Sequence, residues 1–286
     1  MNVSIIGCGD IGSRVAPACR ERGDSVTGWV RRNDSVSRLK ALDINAVQID
    51  LDRPLKSLVQ LKSRRLYYFA PPPPRGTEDS RVANLIGGFT DTGQPEKVVY
   101  LSTSGVYGEC KGAWVDETRP PAPTVDRARR RLDAENRWRA WSEHSGQALV
   151  ILRVAGIYGP GKLPVQRLQS GQPMVAEADS PITNRIHTLD LVQICLAAMQ
   201  RGRAGEVYNV SDGHPGAMTD YFNQVADFLG LPRPPLISPE EARRRLSPGM
   251  LSYLAESRRL SNRKLLSELG VVLRYPTLEQ GLPACV

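Results

Sequence analysis

Cysteine is scarce and scattered in this chain of 286 residues: Cys8, Cys19, Cys110, Cys195 and Cys285 form no C-x-x-C pair. An odd, dispersed set suits neither a disulfide framework nor a zinc site, so no metal and a reducing, cytoplasmic setting are expected. No apolar stretch approaches the ~20 residues of a membrane helix. The first residues run straight into an apolar strand, without the basic flank and cleavage pattern of a leader, so a soluble protein with no membrane partner is expected. Also missing are an internal repeat, a recognisable nucleic-acid module and any aromatic-basic stacking pattern. That absence governs how the charge is read. Lys and Arg exceed Asp and Glu by eight, which would suit a polyanion. The densest basic runs, residues 129–131 and 243–245, lie in helical sequence and are read as solvated faces. No nucleic-acid partner is expected.

What is present is an alternation of apolar runs and helical spacing. Residues 3–6 read as a strand, and residues 11–22 as a helix with Ile11, Val15, Ala18 and Cys19 on one face, Gly23 as its stop and Pro17 as a bend. A strand at Ser25–Val30 leads past the candidate caps Asn33 and Asp34 into a short helix that aligns Val36, Leu39 and Leu42. Strands at 46–50 and 66–70 flank a brief helix, 54–61, with proline in its first turn. The spacing of Val82, Leu85, Ile86 and Phe89 predicts a helix before a fifth strand at 98–102, and a long Arg-rich helix, 125–144, precedes a sixth at 149–154. Six strands with right-handed crossovers imply a doubly wound sheet. Beyond Gly156 the alternation loosens into short elements, a helix at 190–200, a strand at Val207–Val210 and proline-broken helical sequence.

The run Gly7-Cys8-Gly9-Asp10-Ile11-Gly12 fits G-x-G-x-x-G, between an apolar strand and a helix. Gly7 permits the tight turn, Gly9 lets the backbone approach a pyrophosphate, and Gly12 lets the helix lie close to the strand. The helix start then offers unpaired N–H groups to phosphate. A dinucleotide site follows, built on Gly7, Cys8, Gly9, Asp10, Ile11 and Gly12, in an α/β Rossmann-like doubly wound parallel sheet with a smaller C-terminal substrate lobe. Residues 1–160 are assigned to the dinucleotide-binding domain, with 182–212 returning to it, and residues 161–181 and 213–286 to the lobe. At the end of the second strand stand Arg31 and Arg32, where arginine accommodates a ribose 2′-phosphate and an acid would pair with the 2′-OH. NADP is therefore expected, with NAD possible should the arginines point to solvent and Asp34 reach the ribose.

The chain resembles the extended and atypical short-chain dehydrogenase/reductases, the NAD-dependent epimerase/dehydratase group. Besides the glycine turn, the resemblance rests on Ser102-Thr103-Ser104-Gly105-Val106-Tyr107-Gly108, Val115-Asp116-Glu117-Thr118, Leu152-Arg153 through Ile157-Tyr158-Gly159-Pro160-Gly161, Ile186-His187-Thr188-Leu189-Asp190 and Val207-Tyr208-Asn209-Val210-Ser211-Asp212. It spans nearly the whole chain. It implies that Asp50 and Leu51 border the adenine, that Ala70, Pro71 and Pro72 pass behind the cofactor, and that residues 154–158 lie near the nicotinamide. For Asp50 a loop-capping carboxylate is an equal alternative. Thr103 falls at the position that polarises the substrate oxygen, with Ser102 on the cofactor side and Ser104 on the substrate side. Tyr158, Asn184 and His187 are expected to shape the substrate wall. A homodimer paired through the long helix is an analogy from related folds.

The resemblance breaks at the acid/base pair. Counting back from Glu135 places Arg127 where such proteins carry the catalytic tyrosine and Arg131 where they carry lysine. A guanidinium stays protonated and cannot act as a base. Two readings stand. Arg127 and Arg131 clamp an oxyanion in the cleft, or they decorate a wet helix face, with an Arg131–Glu135 pair one turn apart. Function divides accordingly: an oxidoreductase acting on a nucleotide-sugar-like or other hydroxyl/carbonyl substrate, or a catalytically altered NADP(H)-binding sensor or scaffold.

Overall fold

The computed structural model describes residues 1–55, 61, 64–90 and 93–286. In chain order the first elements are β1 (Asn2–Ile6), α1 (Asp10–Arg20), β2 (Ser25–Val30), α2 (Asn33–Ala41), β3 (Asn45–Gln48), β4 (Arg65–Tyr68), α3 (Ser80–Gly87), β5 (Lys97–Thr103), a short β6 (Trp114–Val115), α4 (Asp126–Ser145) and β7 (Ala148–Val154). The brief helix expected at 54–61 lies largely outside the described residues. Next come β8 (Gly156–Tyr158), α5 (Val165–Gln169), β9 (Met174–Val175), β10 (Ile182–Thr183), β11 (Arg185–His187), α6 (Thr188–Arg201) and β12 (Val207–Val210). The chain ends with β13 (Gly216–Ala217), α7 (Met218–Phe228), β14 (Leu236–Ile237), α8 (Pro239–Arg245), α9 (Pro248–Leu254), β15 (Arg259–Leu260), α10 (Arg263–Leu269) and α11 (Leu278–Gly281).

Seven strands form one parallel sheet in the order β12-β7-β5-β4-β1-β2-β3. The strand at Val207–Val210 thus joins the six expected ones as an edge. Runs such as Leu-Val-Ile-Leu of β7 are apolar on both sides because helices cover both faces of the sheet. One face packs Val15 and Cys19 of α1, Leu191 and Ile194 of α6, and Leu265 and Leu269 of α10. The other packs Val82 and Leu85 of α3 with Ala134, Trp138 and Trp141 of α4. Strand order reverses between β1 and β4, the point at which such sheets open a crevice beyond their carboxyl ends.

A separate apolar cluster holds the elements beyond the sheet together, with Leu168, Met174, Met218, Phe222, Val225 and Leu282 at its centre. Polar contacts tie this part to the strand ends. The Asn184 amide donates to the Arg258 carbonyl at 3.0 Å and its oxygen accepts from the Leu260 N–H at 2.8 Å. The Asp190 carboxylate takes the N–H groups of Arg274 and Tyr275 at 2.7 and 2.9 Å.

The helix boundaries have local causes. α3 starts at Asp79, whose carboxylate accepts from the N–H groups of Arg81 and Val82. α2 starts at Arg32 without a side-chain cap, so Asn33 and Asp34 lie within its first turn rather than capping it, and Leu42 is exposed.

Candidate active site

β1 ends in a turn that only glycine can make. Gly7 has φ +80°, and a Cβ there would fall inside the van der Waals radius of the Ala70 backbone. A Cβ at Gly12 would lie 2.9 Å from Ile5, whereas one at Gly9 would meet only the Gly7 carbonyl oxygen, at 3.9 Å. That opening is where a ligand can approach the backbone. The N–H groups of Gly7, Cys8 and Gly9 are spent on the Trp29 and Gly7 carbonyls, and the first helical bond runs from Ser13 to Gly9. Asp10, Ile11 and Gly12 therefore present N–H groups that α1 itself cannot satisfy. Cys8 contributes backbone only: its thiol is buried against Gly12 and Gly28, and burial pushes its pKa up to about 12. The Asp10 carboxylate stands at the same turn, bound by Lys162 at 2.5 Å and Arg14 at 3.2 Å. Partial burial works to raise its pKa, but these two cations outweigh it and hold the acid below its ordinary range. The turn thus fits a pyrophosphate, its one adverse charge being paired.

At the far edge, Arg31 binds Asp52 at 3.0 Å while Arg32 is exposed and makes no ion pair among the described residues. Arg81 also holds Asp52, at 2.6 Å, and with Arg31 keeps that acid below its ordinary range. Arg81 further donates to the Pro71 and Pro72 carbonyls, pinning the exit of β4 behind the glycine turn. Leu51 is buried, its carbonyl taken by Asn84. Asp50 accepts from the Asp52 N–H and faces Arg53 at 3.5 Å, so its carboxylate caps its own loop.

Beyond the ends of β5 and β7 opens a cleft of about 590 Å³ between the sheet and the C-terminal elements. Pro72, Thr103, Ser104, Arg127, Arg131 and Asn184 line it, and so do Arg185, Tyr221, Tyr253, Glu256 and Arg258. Thr103 caps a short 3-10 turn by accepting from the Gly105 N–H at 3.2 Å, which leaves its O–H free to donate. Ser102 is turned away. Its Oγ donates to Glu135 at 2.6 Å, and the same buried carboxylate pairs with Arg153 at 2.8 Å.

The Arg131–Glu135 pair weighed from the sequence is not formed. Arg131 turns inward instead, donating to the Leu101 carbonyl at 3.1 Å and lying 3.4 Å from the Tyr100 hydroxyl. Nor is the run 129–131 a solvated face. Arg129 alone is exposed, and Arg130 is buried against the Gly76 carbonyl. Arg127 crosses the cleft to α9, where it bonds the Ser252 hydroxyl and stacks 4.1 Å from the Tyr253 ring centre.

Tyr158 and His187, read from the sequence as substrate-side residues, are fully buried and do not line the cleft. His187 Nδ1 accepts from the Leu189 N–H at 3.2 Å and so caps α6, and its ring packs between Tyr158 and Tyr275. Desolvation lowers its pKa, which favours the neutral form of the ring. Tyr158 packs under Gly281 and its hydroxyl reaches the Thr277 carbonyl. Asn184 does line the cleft, yet both ends of its amide are spent on β15.

A family model for the NAD dependent epimerase/dehydratase family matches residues 81–211. Over 96% of both chains, the sequence is 26% identical to Protein YeeZ of Escherichia coli (strain K12). A functionally unknown conserved protein from Silicibacter pomeroyi DSS is 32% identical and superposes with a TM-score of 0.84, covering 99% of this chain and 97% of that one. The chain belongs to the NAD-dependent epimerase/dehydratase family. A UDP-glucuronic acid 4-epimerase from Bacillus cereus, solved with NAD, shares the fold at TM-score 0.79 and 18% identity, covering 100% of this chain and 97% of that one.

From α4 the cleft takes Arg127, Ala128 and Arg131, so the phenol and amine that the resemblance implied are absent from the described lining. The cleft also holds residues that sequence reading passed over. Arg185 adjoins the noticed Asn184, and Tyr221, Tyr253, Glu256 and Arg258 come from sequence without a motif. Only the doublet Arg258-Arg259 beside an isolated acid gave any signal, and it was one basic pair among many.

Proposed function

We propose that this protein is a nicotinamide-dependent oxidoreductase-type enzyme of the epimerase/dehydratase family, acting on a hydroxyl or carbonyl of a nucleotide-sugar-like or other small substrate, with NADP(H) preferred over NAD(H). The observation that carries the reading is the shared edge: the glycine turn after β1 and the Thr103 hydroxyl after β5 open at the same carboxyl ends of one sheet. A fold neighbour that is a nucleotide-sugar epimerase solved with NAD supports it.

Gly7, Gly9 and Gly12 with the N–H groups of Asp10, Ile11 and Gly12 would hold the pyrophosphate, and Arg31 and Arg32 the 2′-phosphate. When bound, the nicotinamide supplies hydride transfer. Thr103 donates its O–H to the reacting oxygen, and Arg131, desolvated beside Tyr100 and Leu101, places a fixed positive charge at the same wall. The two-part division at 1–160 with 182–212, against 161–181 with 213–286, belongs to this proposal, with α10 set on the sheet side. So do pairing of two copies through α4 and a cytoplasmic setting. No described helix is long and apolar enough to cross a membrane, and the five cysteines are free and buried.

The test is a fluorescence titration with NADPH and NADH, followed by turnover assays on nucleotide sugars and hydroxy compounds at the reduced-nicotinamide absorbance. Replacing Arg31 and Arg32 by Ala should weaken NADPH by roughly two to four orders of magnitude while NADH changes little, since charge-assisted bonds to a phosphate are each worth about 1.5–3 kcal/mol. Equal losses would remove the arginines from the 2′-phosphate. Failure to bind either dinucleotide would overturn the enzyme reading altogether, and binding without turnover on any substrate would leave a sensor.

A further inference from the structure

The cleft has four arginines on its walls, and among the described residues only Arg258 has a carboxylate partner. Arg127 is held by Ser252 and Tyr253, Arg131 by Leu101 and Tyr100, and Arg258 by Glu256 at 2.8 Å and by the Gly108 carbonyl. Arg185, on β11, is the fourth. Its guanidinium stacks 4.2 Å from the Tyr221 ring centre, and Nη1 donates to the Asn184 carbonyl at 2.9 Å. Like Arg127 and Arg131, it has no carboxylate within ion-pair distance among the described residues, and its Nε and Nη2 make no hydrogen bond there. The nearby acid is Asp212, whose N–H bonds the Arg185 carbonyl and whose Oδ1 is taken by the His214 N–H. Burial lowers the Arg185 pKa, with Tyr221 and Asp212 pulling the other way. A desolvated cation without an ionic partner is costly to keep in a cleft wall unless an anion visits it.

The position of this charge is defined. Arg185 pairs with Gly156 across β11 and β8, and its Nη1 lies 3.1 Å from where a Cβ on Gly156 would stand, so glycine makes room for the guanidinium. Gly156 is two residues past Val154, which sits opposite Thr103 in the sheet. With a strand spacing of ~4.8 Å and a rise of ~3.3 Å per residue, Gly156 lies roughly 8 Å from Thr103 and the guanidinium about 10 Å. That is close to the span of one hexose ring with its substituents. Stacking on Tyr221 fixes the guanidinium plane, and with Nη1 engaged the other edge of the fork is free for two parallel bonds to a planar acid.

We propose that Arg185 reads a carboxylate on the substrate, carried within one sugar ring of the carbon that Thr103 addresses. The inference rests on the reading of this cleft as a hydroxyl/carbonyl site, and it narrows that substrate to a hydroxy acid of the uronic type. The free edge of the Arg185 fork, fixed in plane by Tyr221, matches the two oxygens of one carboxylate.

The experiment measures binding apart from catalysis. Isothermal titration of the NADP(H)-loaded protein compares UDP-glucuronic acid with UDP-glucose, which differ only in the carboxylate, and glucuronate with glucose 6-phosphate and glucose. Wild type should bind each uronate at least tenfold more tightly than its neutral counterpart. Arg185→Gln should erase that preference while leaving dinucleotide binding unchanged, and Arg185→Lys, which keeps the charge and loses the fork, should retain part of it. Equal binding of the acid and neutral sugars overturns the proposal, and so does a preference that survives Arg185→Gln. Tighter binding of glucose 6-phosphate than of glucuronate assigns the site to phosphate and overturns it as well. Should Arg185→Gln fail to fold, Gly156→Ala, which presses a methyl group on the guanidinium, must weaken uronate binding more than UDP-glucose binding. An Arg185-dependent uronate preference without turnover sinks the enzyme reading alone. Turnover of neutral sugars with no acid preference sinks this inference alone.

Discussion

At Gly7 two constraints meet on one residue: a left-handed backbone at φ +80° and the Ala70 backbone packed where a side chain would begin. Gly9 has neither the positive φ nor the clash, since its φ is −86° and a Cβ there would meet only the Gly7 carbonyl oxygen, at 3.9 Å. The two glycines of the same motif therefore separate folding from binding. Gly7→Ala should destabilise the protein by several kcal/mol, about 1 from backbone strain and the rest from displacing β4. Gly9→Ala should lose much less stability than Gly7→Ala yet bind dinucleotide at least tenfold more weakly, because a methyl group would stand where the pyrophosphate approaches. Thermal melting and a fluorescence titration on both variants check this. A Gly9→Ala protein with wild-type affinity would move the dinucleotide away from the turn.

Among the elements, the seven strands were legible because buried parallel strands are written as unbroken apolar runs, and the glycine motif was legible because all its parts are adjacent in sequence. Arg185 was not, since its meaning depends on Tyr221 and Gly156, which only the tertiary fold brings beside it. His187 misled for a related reason. Its neighbours spell a helix start, and the ring serves that start from inside the core. On α4 the periodicity showed a helix but not which arginines face inward, because Ala128, Ala134, Trp138 and Trp141 take the core and leave the guanidinium groups to settle by local acceptors. The outward side of α4 carries Asp126–Arg129 at 3.1 Å, Asp133–Arg137 at 2.6 Å and Glu78–Arg137 at 3.1 Å, all reached by solvent. A dimer built there would join surfaces of exchangeable ion pairs, each of which is weak and screened within about 8–10 Å at ordinary salt. The expected result by light scattering is a dimer near 0.05 M salt that shifts toward monomer by about 0.5 M. A dimer indifferent to salt would place the pairing elsewhere, and a monomer throughout would rule it out.

For the whole molecule, the acid with the largest reach is Asp212, just past the edge strand β12, where the sheet meets the later elements. It is 4% exposed, and desolvation lifts its pKa from 3.8 to about 7, against the His214 N–H and the attraction of His214 and Arg185. Unfolded, the same carboxyl titrates near its ordinary value. Between those two values the folded chain binds more protons than the unfolded one, so this group's contribution to stability falls as pH rises from about 4 and is lost in full above about 7. A shift of this size corresponds to a few kcal/mol at most. Asp212→Asn keeps the acceptor for the His214 N–H and removes the buried charge. The variant should therefore melt higher than wild type at pH 8, and the gap should close as pH falls toward 5, where wild-type Asp212 is protonated. His187 works in the opposite sense, its lowered pKa favouring the folded state as pH rises, so the comparison must be of variant against wild type at each pH rather than of either curve alone. Melting temperatures from pH 5 to pH 8 decide it. A gap that stays constant across that range would mean that Asp212 keeps an ordinary pKa, and that Arg185 has its counter-charge already in place.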